Sequence, residues 1–165
     1  MRAPLKMAVA MALATFTSGC GEARAVTSGR FPTPTSGTVC GVPLTADQMS
    51  QVLNRPVRIA AIREDAGPID AICEFQVVGA TNTWVAVAGL TSSSFAFART
   101  YGKQAVTAIG DSAFWIPRTP HGYQSGLFVR KGPVYFLVSY QDPAVSEEDR
   151  LRVDEEMAQV VVGNI

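Results

Sequence analysis

The stretch from Gly126 to Asp142, "GLFVRKGPVYFLVSYQD", constrains the fold more than any other part of the chain. Two β-rich runs flank Lys131-Gly132-Pro133, and a turn that short returns the chain antiparallel to itself. The runs "AICEFQVVG" and "TWVAVAGL" repeat the arrangement about a second turn, Gly79 to Asn82. "VRIAAIRE", residues 57–64, reads as a further strand, and "EDAGPID" after it as a turn by its Asp, Gly and Pro. "AVTAIGDSAFWIP" suggests two short strands broken at Gly110-Asp111. Strands joined in this way build an antiparallel sheet.

Three segments break the β pattern. In "LTADQMSQVLN", Thr45 stands three residues before Gln48 at capping-box spacing, and Met49, Val52 and Leu53 share one helical face. A helix over 46–54 follows, ended by Pro56. Ser94 is positioned to cap a short helix from Phe95 to Tyr101, with Gly102 as its stop. Ser146 opens the last helix, with Leu151, Val153, Met157, Val160 and Val161 on its apolar side. Glu147, Glu148, Asp149 and Arg152 lie on its wet side. The expected class is therefore α+β: an antiparallel sheet with its helices packed on one face, in a single disulfide-stapled domain.

The N-terminus carries a different signal. Arg2 and Lys6 precede "MAVAMALATF", an apolar run of the length of an export-signal core and shorter than the roughly 20 residues needed to cross a bilayer. Thr17-Ser18-Gly19-Cys20 resembles the lipobox of bacterial lipoproteins, in which the cysteine is acylated and becomes the mature N-terminus. The competing cut follows Ala25 in Ala23-Arg24-Ala25, which would release a soluble secreted protein. The expected organisation is a signal peptide over 1–19, a lipidated N-terminus and linker over 20–38, and a globular domain over 39–165. The linker, "GEARAVTSGRFPTPTSGT", is rich in Thr, Ser, Gly and Pro and would span about 20–25 Å as a flexible coil.

Of the three cysteines, Cys20 is consumed by lipidation or removed with the signal, which leaves Cys40 and Cys73. In an oxidising compartment this pair is expected to form a disulfide, worth roughly 3–4 kcal/mol by the chain-entropy argument. Loss of Arg2 and Lys6 from the 14 basic and 14 acidic side chains leaves a slightly acidic domain. No basic patch stands out, so nucleic acid is not an expected partner. The expected partners are the membrane, through the anchor at Cys20, and an envelope protein or small ligand. One histidine and few cysteines argue against a metal site, and no cofactor is expected.

Catalytic signals are thin. His121, the lone histidine, sits between Pro and Gly in "RTPHGYQSG" and reads as a loop-tip residue. Ser125 lies four residues on, but outside a G-x-S-x-G elbow. Asp111, in a turn, is suited to bonding local backbone N–H groups. Asp65, Asp70 and Glu74 lack calcium-loop spacing. Trp84, Phe114, Trp115 and Tyr123 could line a groove, although strand aromatics more often pack a core. No catalytic residue is assigned. An exported serine-type hydrolase using Ser125 or Asp111 with His121 is the alternative to a non-enzymatic binding or scaffolding module.

"CGVPLTADQMSQVL", "CEF" from Cys73 to Phe75, and "AIGDSAFW" before a final hairpin and helix resemble small envelope lipoproteins of unknown function, found mainly in actinobacteria. Phe75 stands where that family more often has Trp. The resemblance implies a lipid-anchored, disulfide-bonded α+β domain and brings no activity with it.

Overall fold

The computed structural model describes residues 44–64, 69–118 and 125–165. The elements run α1 (Ala46–Leu53), β1 (Val57–Glu64), β2 (Ile69–Val77), β3 (Trp84–Leu90), α2 (Ser92–Arg99), β4 (Gln104–Val106), β5 (Ser112–Ile116), β6 (Gly126–Lys131), β7 (Val134–Gln141) and α3 (Glu147–Gly163). All seven strands form one open antiparallel sheet in the order β1-β2-β3-β7-β6-β5-β4. The class is α+β, as expected.

The topology is two meanders, β1-β2-β3 and β4-β5-β6-β7, sewn together by β3 against β7. Trp84 pairs with Gln141 and Val87 with Val138 along that seam. The chain passes from one meander to the other through α2.

Each face of the sheet has its own core. On one side Cys73, Phe75, Val85, Val87, Trp115, Leu127, Val129, Phe136 and Val138 pack beneath α1 and α3, which supply Met49, Val153, Met157, Ala158 and Val161. On the other side Ala88, Phe114, Phe128 and Leu137 pack with Phe95 of α2. Phe114 and Phe128 stack at 5.1 Å, and Phe95 lies tilted at 5.1 Å from Phe114 and 5.3 Å from Tyr135. The expectation that the helices share one face is thereby corrected, because α2 covers the face opposite α1 and α3. The physical cause is visible in β7, where apolar side chains run almost unbroken from Val134 to Tyr140. A strand of that kind needs cover on both sides.

The cap of α1 is as expected, whereas α2 differs at both ends, stopping at Arg99 with Thr100 as its C-cap rather than at Gly102. Thr45 forms the complete capping box with Gln48, its Oγ1 accepting the Gln48 N–H at 3.2 Å while Gln48 Oε1 accepts the Thr45 N–H at 3.0 Å. For α2 the cap is Thr91 rather than Ser94: Thr91 Oγ1 accepts the Ser94 N–H at 3.0 Å, so the helix starts three residues early. Gly102 lies past the end of α2, where a Cβ would come within 2.8 Å of the Phe114 ring. Its small size lets the chain leave α2 close against that ring. Thr45→Ala is expected to lower stability by about 1 kcal/mol, read as a shift in the urea midpoint at unchanged slope.

Cys73 is fully buried on β2. Cys20 and Cys40 lie outside the described residues, as do the expected export signal, the linker and the staple that Cys40 would complete.

Candidate functional site

A groove of about 390 Å³ opens where β3 begins and β7 ends, lined by Thr81, Asn82, Trp84, Arg118, Gln141, Asp142 and Pro143. It lies on the α2 side of the sheet, beyond the region that α2 covers. Trp84 forms its floor and is 39% exposed, whereas Trp115 is 6% exposed on the other face. Strand pairing fixes Trp84 between Gln76 of β2 and Gln141 of β7. The row continues outward to Arg58 of β1, whose guanidinium donates to Gln76 Oε1 at 2.7 Å.

One wall is organised by Asp142. Its Oδ1 accepts the Ala144 N–H at 2.9 Å, which turns the chain from β7 toward α3. Its Oδ2 accepts from Thr83 Oγ1 at 3.1 Å and from the Tyr140 hydroxyl at 3.2 Å, and Arg55 approaches at 3.9 Å. The Ala144 N–H, then the Thr83 and Tyr140 hydroxyls and the Arg55 charge, hold this carboxyl below its ordinary value against the opposing cost of burial. Arg118 closes the far side. It donates through a guanidinium nitrogen to the Asp142 carbonyl at 3.2 Å, and its backbone N–H donates to Glu147 Oε2 at 3.0 Å. Burial raises the Glu147 pKa, but the Arg118 N–H and the Arg150 guanidinium outweigh it and leave the net shift downward.

Gln141 links the groove to the interior. Its Nε2 donates to Ser139 Oγ at 2.7 Å and to Ser125 Oγ at 3.1 Å. Ser125 in turn accepts from Arg150 at 3.2 Å. Arg150 is fully buried on α3 and also donates to the Tyr140 carbonyl at 2.9 Å and to Glu147 Oε1 at 2.7 Å. One turn on, the fully buried Asp154 accepts the Tyr140 N–H at 2.6 Å. Burial pushes the Asp154 carboxyl up to about 8, against the Tyr140 N–H and the Arg150 charge. Among the described residues Asp154 Oδ2 and Trp115 Nε1 are both buried without a hydrogen-bond partner, although the nearby indole N–H works to lower the Asp154 pKa.

The residues singled out from sequence fare differently. Ser125 is buried, and its two hydrogen-bond partners among the described residues are donors rather than a base. Asp111 does bond a backbone N–H, that of Gly132 at 2.7 Å, but across the sheet in the β6–β7 turn rather than locally. Phe114 and Trp115 are core residues, and of the three aromatics among the described residues only Trp84 lines the groove; Tyr123 and His121 lie outside the described residues. Among the described residues no group of three His, Cys, Asp or Glu is placed to hold a metal, and no helix is long and apolar enough to cross a membrane.

Sequence reasoning missed Arg118, Gln141, Asp142, Arg150 and Asp154. For the last two a signal existed. Positions 150, 154, 157 and 161 fall on one helical stripe with Val153, so two charges sit on the face that must be buried. Arg118, Gln141 and Asp142 carry no local pattern, because Gln141 meets Trp84 only through the β3–β7 seam and Arg118 reaches Asp142 only from beyond β5. No family model, curated protein or solved structure matches the chain.

Proposed function

We propose that this chain is an envelope lipoprotein, tethered through Cys20, whose domain binds a ligand or partner without transforming it. The groove at Trp84 carries the reading: an exposed indole is held on paired strands beside polar side chains whose hydrogen bonds fix their positions. The export-type segment and the lipobox support the tether, and the Thr/Ser/Gly/Pro-rich linker would let the domain reorient above a membrane. The resemblance to small actinobacterial envelope lipoproteins points the same way.

The Cys40–Cys73 disulfide belongs to this proposal. Leu44, where the described chain begins, is buried in the same core as Cys73. Cys40 is four residues upstream, so extended chain keeps it within about 14 Å of Leu44. Intact mass tests both features. A protein starting at Cys20 with added acyl mass, and lighter by two hydrogens before reduction, is the expected result. A start at Val26 without lipid overturns the anchor, and an unchanged mass on reduction overturns the staple.

Binding itself is tested by placing a photo-crosslinking residue at Thr81, on the groove rim, in the full-length protein in intact cells. An adduct at Thr81, absent with the same residue at Glu155 on the outer side of α3, is expected. Equal labelling at both positions, or none, overturns the binding reading.

A further inference from the structure

We infer that the Trp84 groove is a saccharide subsite, with the indole as a platform for a sugar ring and Thr81, Asn82, Gln141 and Arg118 as partners for its hydroxyl groups. The inference rests on the binding reading above and names the class of ligand.

Of the seven lining residues only Trp84 and Pro143 are apolar. A largely apolar ligand would desolvate the Asn82 and Gln141 amides and the Thr81 hydroxyl without replacing their hydrogen bonds, at a cost of about 1–3 kcal/mol for each group left unpaired. A ligand with one apolar face and a polar edge satisfies the indole and the amides together. A pyranose or furanose ring has that character, since its C–H groups lie over an aromatic face while its hydroxyls point outward.

Charge decides against the other polar ligands. Asp142 is committed to Thr83, Tyr140, Ala144 and Arg55, and Arg118 to Glu147 and the Asp142 carbonyl. The Asp142 carboxylate has Arg55 beside it at 3.9 Å and the Arg118 guanidinium has Glu147 at 3.9 Å, so each charge is matched by its own neighbour and little surplus of either sign is left to select a phosphate or an amine. What remains is a neutral hydrogen-bonding edge. Gln141 shows it in detail: its Nε2 is spent on Ser125 and Ser139, and no hydrogen bond within the described residues engages its Oε1. An amide oxygen held by two hydroxyls on its nitrogen side is oriented in advance for a ligand hydroxyl.

Geometry fits a chain rather than an isolated compact molecule. At about 390 Å³ the groove is at the small end of ligand sites, roughly 300–1,000 Å³. The row Arg58, Gln76, Trp84 and Gln141 crosses four strands, β1, β2, β3 and β7, and prolongs the floor past the groove itself. Amide and guanidinium groups flanking an indole along one row of the sheet suit successive rings of an oligosaccharide. The strands are paired on both sides of Trp84, so the platform is rigid before the ligand arrives and little ordering cost remains.

The two tryptophans provide the readout. In amide correlation spectra of the mature protein, Trp84→Phe assigns the two indole N–H signals, one in the groove and one in the core. Glucose, galactose, mannose, arabinose, N-acetylglucosamine and its tetramer are titrated at millimolar concentration, with inorganic phosphate as the charged control. At least one sugar is expected to move the Trp84 indole while the Trp115 indole stays still, and the tetramer or another oligomer is expected to bind more tightly than its monomer. Trp84→Ala should weaken that binding about tenfold or more in a protein whose amide spectrum shows that it is still folded. Asn82→Ala, remote from the core, should weaken it without altering the fold.

If no sugar moves the Trp84 indole, or if phosphate alone moves it, the saccharide assignment fails. The crosslink at Thr81 then separates the two readings. A protein-sized adduct there means that the groove binds something other than a glycan, and the binding module stands. No adduct and no sugar response means that both readings fall.

Discussion

Arg150→Ala is expected to destabilise the domain by about 3–5 kcal/mol, the usual cost of removing one partner from a buried charged network. Arg150 is fully buried and places one nitrogen on each of three acceptors: the Tyr140 carbonyl, Glu147 Oε1 and Ser125 Oγ. Truncation leaves the Tyr140 carbonyl and Ser125 without that donor, removes the cation nearest Asp154 and opens a void under α3. For a domain of this size the thermal midpoint should fall by of order 10 °C or more. Arg150→Lys keeps the charge but replaces the fork with one compact ammonium, so it should recover only part of the loss. Urea melts of the three proteins check this. Equal stability of the alanine variant and the parent would show that the network contributes nothing net.

The second large effect is a dependence on pH with an unusual sign. Most carboxylates with native partners have depressed pKa values and stabilise a fold as pH rises. Asp142 and Glu147 are of this kind, so their contributions are present at neutral pH and fade as pH falls through their lowered native values. Asp154 is the opposite case. Burial raises its carboxyl from the ordinary 3.8 to about 8, so the folded state binds a proton that the unfolded chain has already released. Its stabilising contribution is full below the unfolded pKa and is lost progressively as pH rises toward about 8, beyond which the loss levels off. The slope approaches about 1.4 kcal/mol per pH unit for one group. Urea melts from pH 5 to pH 9 should therefore show stability falling through this range in the parent and much more weakly in Asp154→Asn. A parent profile as flat as that of the variant would mean that Asp154 is ionised in the fold, with Arg150 and the Trp115 indole holding the charge.

These two predictions concern residues that sequence periodicity alone would place in the core and that composition would place in water. Along α3 the apolar positions Val153, Met157 and Val161 were readable as a buried stripe, and Arg150 and Asp154 lie on it. Their charge argues for water and their position for the core. The structure resolves the conflict by giving both residues backbone partners on β7, at Tyr140. Those partners are 10 and 14 residues away along the chain, beyond the range of any local pattern.

The strands, the two hairpin turns and the capping box at Thr45 were determined locally, by alternation, by turn residues and by a three-residue spacing. Each needs only interactions between near neighbours, so a linear reading suffices. Tertiary structure decided what depends on pairing at a distance. The β3–β7 seam joins the two meanders, α2 falls on the far side of the sheet, and Trp84, Gln141, Asp142 and Arg118 meet around one groove. Register is the physical reason. One residue's shift between β3 and β7 would turn Trp84 into the core and Val85 out to solvent, and only the burial of both cores together selects between the two.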